Sequence, residues 1–166
     1  ATADLPGERS LANSAGIRQV DPQDRLTLET PPAERERILE ERWARGGFAV
    51  LGGFSDMGIN EEANAVGADF FARKIRSIVK DPAVAEKLVP KGYPLGTKRL
   101  CVDLGYFETF NRPNVCLVDV AQDPISAIVP EGVKTGTGTH ALDAIVYAIG
   151  FDAMTGALDR IDISGR

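Results

Sequence analysis

The chain has 166 residues, 43% of them apolar and 26% charged, and a formal net charge of -5. That length suffices for one domain with a real core, and the acidic balance argues against a protein that binds nucleic acid through bulk electrostatics. No apolar run approaches the roughly 20 residues of a membrane helix, and no charged-then-apolar leader is present, so neither nucleic acid nor membrane is expected as a partner.

The chain opens on Ala1-Thr2-Ala3 without Met and stops at Ser164-Gly165-Arg166, and it is expected to be a segment of something longer or a processed product. Residues 1–29 are polar and aperiodic and are expected to form loops and short turns, partly disordered. Thr30 then offers an N-cap with Pro31 at the first helical position, opening "PPAERERILEERWARGG". Leu39 and Trp43 share a face at four-residue spacing, Glu41 can pair with Arg45, and Gly46-Gly47 ends the helix. "FAVLGGFSDMGI" (Phe48 to Ile59) reads as a short helix or a loop packed on the core.

Asn60 caps a longer helix, "NEEANAVGADFFARKIRSIVKD", with Glu61 and Glu62 at its positive end. Val66, Phe70, Ile75, Ile78 and Val79 form its apolar stripe. Asp81-Pro82 stops it and starts a shorter one, "PAVAEKL", which Pro90 ends.

After Lys91 the pattern becomes β-rich. Three short runs read as strands: Arg99 to Leu104, Val115 to Val120 and Ala144 to Ile149. "IVYAI" is apolar at nearly every position, as a strand covered on both faces requires. Between the last two, "PISAIVPEGVKTGTGTHALD" reads as a hairpin with a return strand. Its glycine-rich tip does not match a GxGxxG that opens a helix. Cys101 and Cys116 sit in the strand-like runs without a CxxC pair and are expected to be buried, reduced thiols of a cytoplasmic protein. His140, the single histidine, has no His or Cys partner for a zinc site and no GxSxG elbow for a triad. Asp119 and Asp143 read as turn caps.

Lys98 and Arg99 are the strongest candidates for chemistry. They follow "GYPLGT", a short loop shaped by Gly and Pro, and stand at the start of an apolar strand, where ligand sites of α/β sheets gather. Adjacent residues in an extended chain face opposite ways, so the two cations reach different partners. Lys is a compact charge suited to phosphate, and Arg is a fork that stays protonated. A solvated surface pair is the ordinary alternative.

The runs "VPKGYPLGTKRL", "YFETFNRPNV" and "AIGFDA" resemble, in order and spacing, the type I Baeyer–Villiger monooxygenases, and most of all the phenylacetone and cyclohexanone monooxygenase group. The likeness extends from about Trp43 to Arg166. The resemblance implies an α/β fold: a helical insertion (residues 1–92), then the C-terminal half of a Rossmann-like NADP-binding domain of three-layer type with a β-hairpin or meander (93–152), then a return toward an FAD domain (153–166). It implies FAD and NADPH as cofactors, a ketone and O2 as substrates, and the remaining FAD and NADP domain segments as partners.

By the same resemblance Lys98 contacts the 2′-phosphate of NADPH, Arg99 is the catalytic residue beside the flavin and nicotinamide, and Thr97, Ile149 and Gly150 lie against cofactor. Ile149 stands where the family has Thr in "ATGFD". Neither GxGxxG of the family nor its fingerprint with a central His is in the chain, so the chain is expected to be a piece of the enzyme. Two other readings remain: a flavin monooxygenase that oxygenates N or S, and a non-catalytic interaction module whose Trp43, Phe70 and Phe71 bury a partner's surface.

Overall fold

The computed structural model describes residues 23–46, 49–98, 100, 105–148, 150, 156, 160–162 and 164. The chain divides into two compact units, Ala1–Leu117 and Val118–Arg166.

In the first unit, helix α1 (Pro32–Arg45) has Pro32 at its first position and Pro31 at its N-cap. Thr30, expected to cap it, instead donates its hydroxyl to Leu26 O (2.8 Å) and closes the preceding turn. That turn is tied down: Thr27 is fully buried and donates both N–H and hydroxyl to Asp56 Oδ1 (2.9 and 2.6 Å). The part of the N-terminal stretch from residue 23 forms the expected loop and turn and is anchored; residues 1–22 lie outside the described residues. Glu41 pairs with Arg37, one turn earlier in α1, rather than with Arg45 as the sequence suggested. A 3₁₀ turn (Ala49–Gly52) follows and leads into a loop that buries Phe54 and Met57.

Helix α2 (Glu61–Ile78) is capped as expected, with Asn60 Oδ1 accepting from Ala63 N (3.0 Å). Phe70, Ile75 and, just after the helix, Val79 of the predicted stripe are buried, whereas Val66 and Ile78 are half-buried at its margins. The buried face also holds Ala63, Asn64 and Gly67. A Cβ at Gly67 would stand 2.3 Å from Met57 Cε, so the absence of a side chain lets Met57 lie directly on the helix. Helix α3 (Pro82–Leu88) starts at Asp81, whose Oδ1 accepts from Ala83 N and Val84 N (2.8 and 3.2 Å).

One core joins Ile38 and Leu39 of α1, Val50, Phe54, Met57, Phe70 and Leu95. A second joins Ala72, Ile75, Val79, Ala85 and Val89, with Phe107 and Phe110 from around the short helix α4 (Tyr106–Thr109) packed against it. Trp43 meets Phe70 and Phe71 edge-on, at 6.2 and 5.4 Å between centroids. The three aromatics offered to a partner by the interaction-module reading are thus engaged within the unit. Outside, Arg73 forks onto Glu36 of α1 (2.8 and 2.9 Å) and Lys74 reaches Glu40 (2.9 Å). Such exposed pairs contribute about 0–1 kcal/mol each, against roughly 1.5–3 kcal/mol for burying a side chain such as Phe70.

The second unit carries the predicted hairpin and return as an antiparallel meander: β1 (Ala127–Val129), β2 (Gly132–Lys134) and β3 (Thr139–Ala141), in that spatial order. Gly132 pairs with both Val129 and Ala141. The glycine-rich tip is the β2–β3 turn, closed by Thr135 N donating to Gly138 O (2.8 Å). Asp119 caps a turn, accepting from Ala121 N (3.1 Å).

Two expected strands are not formed among the described residues. Residues 115–119 and 144–148 belong to no ladder, and Val146 and Tyr147 are 88% and 64% exposed. A strand exists only through its hydrogen-bonded neighbour, and neither run has one beside it among the described residues. Of the third expected strand, Arg99 and residues 101–104 lie outside the described residues. Cys116 is exposed rather than buried, for the same reason that its run is unpaired; Cys101 lies outside the described residues. Among the described residues no helix is long and apolar enough to cross a membrane.

Candidate functional site

The loop before Lys98 is held from beneath by one side chain. Asn64, buried on α2, donates from Nδ2 to Met57 O and to Leu95 O (both 2.9 Å) and accepts from Leu95 N at Oδ1 (2.8 Å). Its carboxamide thereby takes both backbone groups of Leu95, whose own side chain enters the first core. Buried polar groups must be paired in this way, because an orphaned one costs about 1–3 kcal/mol.

From Leu95 the chain turns at once. Gly96 has φ +93°, and a Cβ there would lie 3.3 Å from Leu51; both the backbone angle and the close side chain select glycine. Thr97 closes the turn, with N–H and hydroxyl both donating to Pro94 O (3.2 and 2.6 Å).

Lys98 follows on this fixed turn. Its ammonium lies 4.4 Å from the centroid of the Tyr93 ring, a cation–π distance. Several other cations of the unit are paired: Lys74 with Glu40, Arg73 with Glu36 and Asp69, Arg76 and Lys91 with Glu86. Among the described residues no carboxylate stands within ion-pair distance of Lys98. An exposed ammonium without a carboxylate keeps its charge available for an anion arriving from solvent.

Beside it opens a cleft of about 790 Å³ with aromatic walls from Trp43, Phe71, Tyr106 and Phe107; Lys98 and Glu108 are its charged lining groups. A ligand with an anionic end and a flat apolar body matches this combination.

Thr97 and Lys98 thus stand together on one turn. Gly150 is exposed in the second unit, and Arg99 and Ile149 lie outside the described residues. Sequence reasoning missed Asn64 and Tyr93. Asn64 left a signal: it is a poor helix former in a helix interior, eleven residues before Ile75 and so three turns away on the same buried face.

No family model matches the chain. It is 51% identical over 143 residues to the 2-oxo-Δ3-4,5,5-trimethylcyclopentenylacetyl-CoA monooxygenase of Pseudomonas putida, covering 86% of this chain and 26% of that protein. It is 45% identical over 138 residues to a Baeyer–Villiger monooxygenase of Pseudooceanicola batsensis (81% and 25%), and 41% identical over 136 residues to a phenazine N-monooxygenase of Lysobacter antibioticus (80% and 25%). Among solved structures, OTEMO in complex with FAD and NADP superposes with a TM-score of 0.84 at 44% identity, over 91% of this chain and 28% of that one. The chain spans about a quarter of the length of the curated relatives it matches. Its homologues are Baeyer–Villiger monooxygenases, and it corresponds to one segment of those flavin-dependent enzymes.

Proposed function

We propose that the chain is the coenzyme-contacting segment of an FAD- and NADPH-dependent Baeyer–Villiger monooxygenase that inserts one oxygen atom of O2 beside a ketone carbonyl to give an ester or lactone. The observation that carries this reading is the superposition, at 44% identity, on a chain solved with both FAD and NADP. A relative whose name specifies a ring ketone, 2-oxo, supports the substrate class.

In this reading residues 1–92 are a helical insertion, 93–152 the second half of a Rossmann-like NADP-binding domain, and 153–166 the return toward the FAD domain. The exposed apolar run at 144–148 is then a strand whose neighbours belong to the other half. That arrangement supplies what the run lacks, since parallel strands are covered on both faces.

When bound, FAD supplies the oxygen chemistry and NADPH the hydride. The residues here fit the phosphate end of the coenzyme: Lys98 offers an ammonium with no carboxylate beside it among the described residues, on a turn fixed by Asn64 and Thr97. A 2′-phosphate would draw that ammonium off the Tyr93 ring, exchanging a contact of about 0.5–1 kcal/mol at an exposed site for a charge-assisted hydrogen bond of about 1.5–3 kcal/mol. Arg99, the next residue, would face the flavin and nicotinamide and hold positive charge where negative charge develops, which a guanidinium does without losing its proton. Thr97, Ile149 and Gly150 would line the cofactor. The chain contains no GxGxxG, so the dinucleotide cradles would be supplied by other parts of the enzyme.

The test is made in the full-length oxygenase. Arg99→Ala should abolish ester formation while FAD remains bound, as read from the visible spectrum; retained turnover would remove Arg99 from its role. Lys98→Ala should weaken NADPH far more than NADH, and equal losses would remove Lys98 from its own. A second reading, N-oxygenation, is favoured by the 41% identity to a phenazine N-monooxygenase. Parallel assays on a cyclic ketone and on phenazine separate the two.

A further inference from the structure

Asn64 is one of the buried polar residues of the first unit; one of its side-chain bonds goes to Met57 O before α2, and the other two go to Leu95 in the loop that ends at Lys98. Helix α2 needs nothing from it: the helix is capped by Asn60 and held by Phe70 and Ile75 in two cores. A plain apolar residue at this position would satisfy the helix better. What requires a carboxamide is Leu95, which presents a buried N–H and a buried C=O on the same side, and only a group with donor and acceptor side by side meets both.

We propose that Asn64 is the positioning residue for Lys98, setting where the ammonium stands when the coenzyme's 2′-phosphate arrives. The proposal rests on the phosphate-binding reading of Lys98. The mechanical path is short. Asn64 fixes both backbone groups of Leu95. Gly96 turns the chain against Leu51, and Thr97 ties the turn to Pro94 O with two bonds. Lys98 is the next residue, and its side chain folds back onto Tyr93, on the other limb of the same loop. Two residues, Gly96 and Thr97, separate the clamped Leu95 from the cation, and Thr97 is itself tied to Pro94, so a displacement at Leu95 is carried to Lys98 with little chance to relax.

The test compares the affinities of the full-length oxygenase for NADP⁺ and NAD⁺, measured by titration calorimetry, since only NADP⁺ bears the 2′-phosphate. Asn64→Asp keeps the shape and the acceptor for Leu95 N but turns the two donors into a charge facing the Met57 and Leu95 carbonyls. It should reduce the NADP⁺:NAD⁺ affinity ratio by about fivefold, and Lys98→Ala by about tenfold, the loss of one charge-assisted phosphate contact. On the Lys98→Ala background, Asn64→Asp should change the ratio no further. Val79→Ala, a change in the second core, which Leu95 does not enter, should lower Tm yet leave the ratio unaltered.

An unchanged ratio in Asn64→Asp, with Lys98→Ala still reducing it, overturns the positioning role and leaves Lys98 in place. An unchanged ratio in Lys98→Ala overturns the reading of Lys98, and the proposal with it. Equal shifts of the ratio in Asn64→Asp and Val79→Ala reduce Asn64 to general stability and also overturn it. If Asn64→Asp does not fold, Asn64→Ser, smaller and with one donor, reads the same ratio by the same criteria.

Discussion

Phe70 is fully buried and Val146 is 88% exposed. Both are large apolar residues in strongly apolar runs, and the difference lies in what the chain places around them. In the first unit each apolar stripe meets another: α1 meets α2 through Leu39 and Phe70, and α2 meets α3 through Ile75 and Ala85. In the second, the meander β1–β3 supplies its own backbone partners, but the run at 144–148 has none among the described residues. The helical half closes on itself because helices satisfy their backbone internally and need only side-chain burial from neighbours. A strand needs a neighbour's backbone as well.

The largest consequence is in amide exchange. Amides of residues 144–148 should exchange at nearly the unprotected rate in this chain and be slowed by orders of magnitude in the full-length oxygenase, where a neighbouring strand would accept them. Amides in the middle of α2 should be protected in both. Strong protection at 144–148 in the isolated chain would break the comparison. A matched pair of truncations comes next. Phe70→Ala should destabilise the first unit by about 3–5 kcal/mol, as large-to-small core changes do. Val146→Ala should stay within about 0.5 kcal/mol, as surface changes do. Denaturant titration of both variants checks this, and equal effects would erase the distinction between the halves.

Those elements also show what the sequence made legible. The helices α1 to α3 were readable because caps and breakers are local: Asn60, Asp81, Pro82 and Gly46 act on the residues beside them. The meander was readable from its turns. The two missing strands were legible as apolar runs, but pairing is a property of two segments, and composition at 144–148 carries no record of whether the second is present. At the candidate site, Lys98 and Thr97 were visible through the Gly- and Pro-shaped loop around them. Asn64 was not, because it lies 31 residues from Leu95, and a long-range hydrogen bond leaves only the faint trace of a poor helix former on an apolar face.

Within the second unit, Gly132 tests how far the meander supports itself. It sits at φ +147°, where a side chain is strained, and a Cβ would come within 2.0 Å of His140 O on the neighbouring strand. Gly132→Ala should therefore separate β2 from β3. The strain alone is about 1–3 kcal/mol, and a three-residue strand has little to set against it. The loss should appear as disappearance of cross-strand contacts between Val133 and His140 in nuclear Overhauser spectra. Persistence of those contacts would mean that the backbone yields more readily than its hydrogen bonds imply.

The smallest effect separates the two units by the kind of partner their acidic groups use. In the first, Glu86 receives hydrogen bonds from Arg76 and from Lys91, and these two cations hold its carboxyl down at about 2. In the second, the hydroxyls of Thr137 and Thr135 lower Asp123 below the usual carboxylate range. A carboxylate depressed on folding contributes stability that is present above its unfolded pKa, about 4.3 for Glu, and lost as pH falls through the folded value. For Glu86 the loss therefore runs from about pH 4.3 down to about 2. Glu86→Gln should lower Tm slightly at pH 6 and match the parent at the acid end of that window. The pair is exposed, so the difference is small and should shrink further in ~1 M salt, where the Debye length is about 3 Å. The acid response of the meander should be less sensitive to salt, because the hydroxyls that lower Asp123 carry no net charge to be screened. Tm measured against pH at two salt concentrations decides it: a Glu86→Gln difference that stays constant from pH 7 to 2 would show that the Arg76–Glu86–Lys91 cluster ties α2 to α3 without stabilising either.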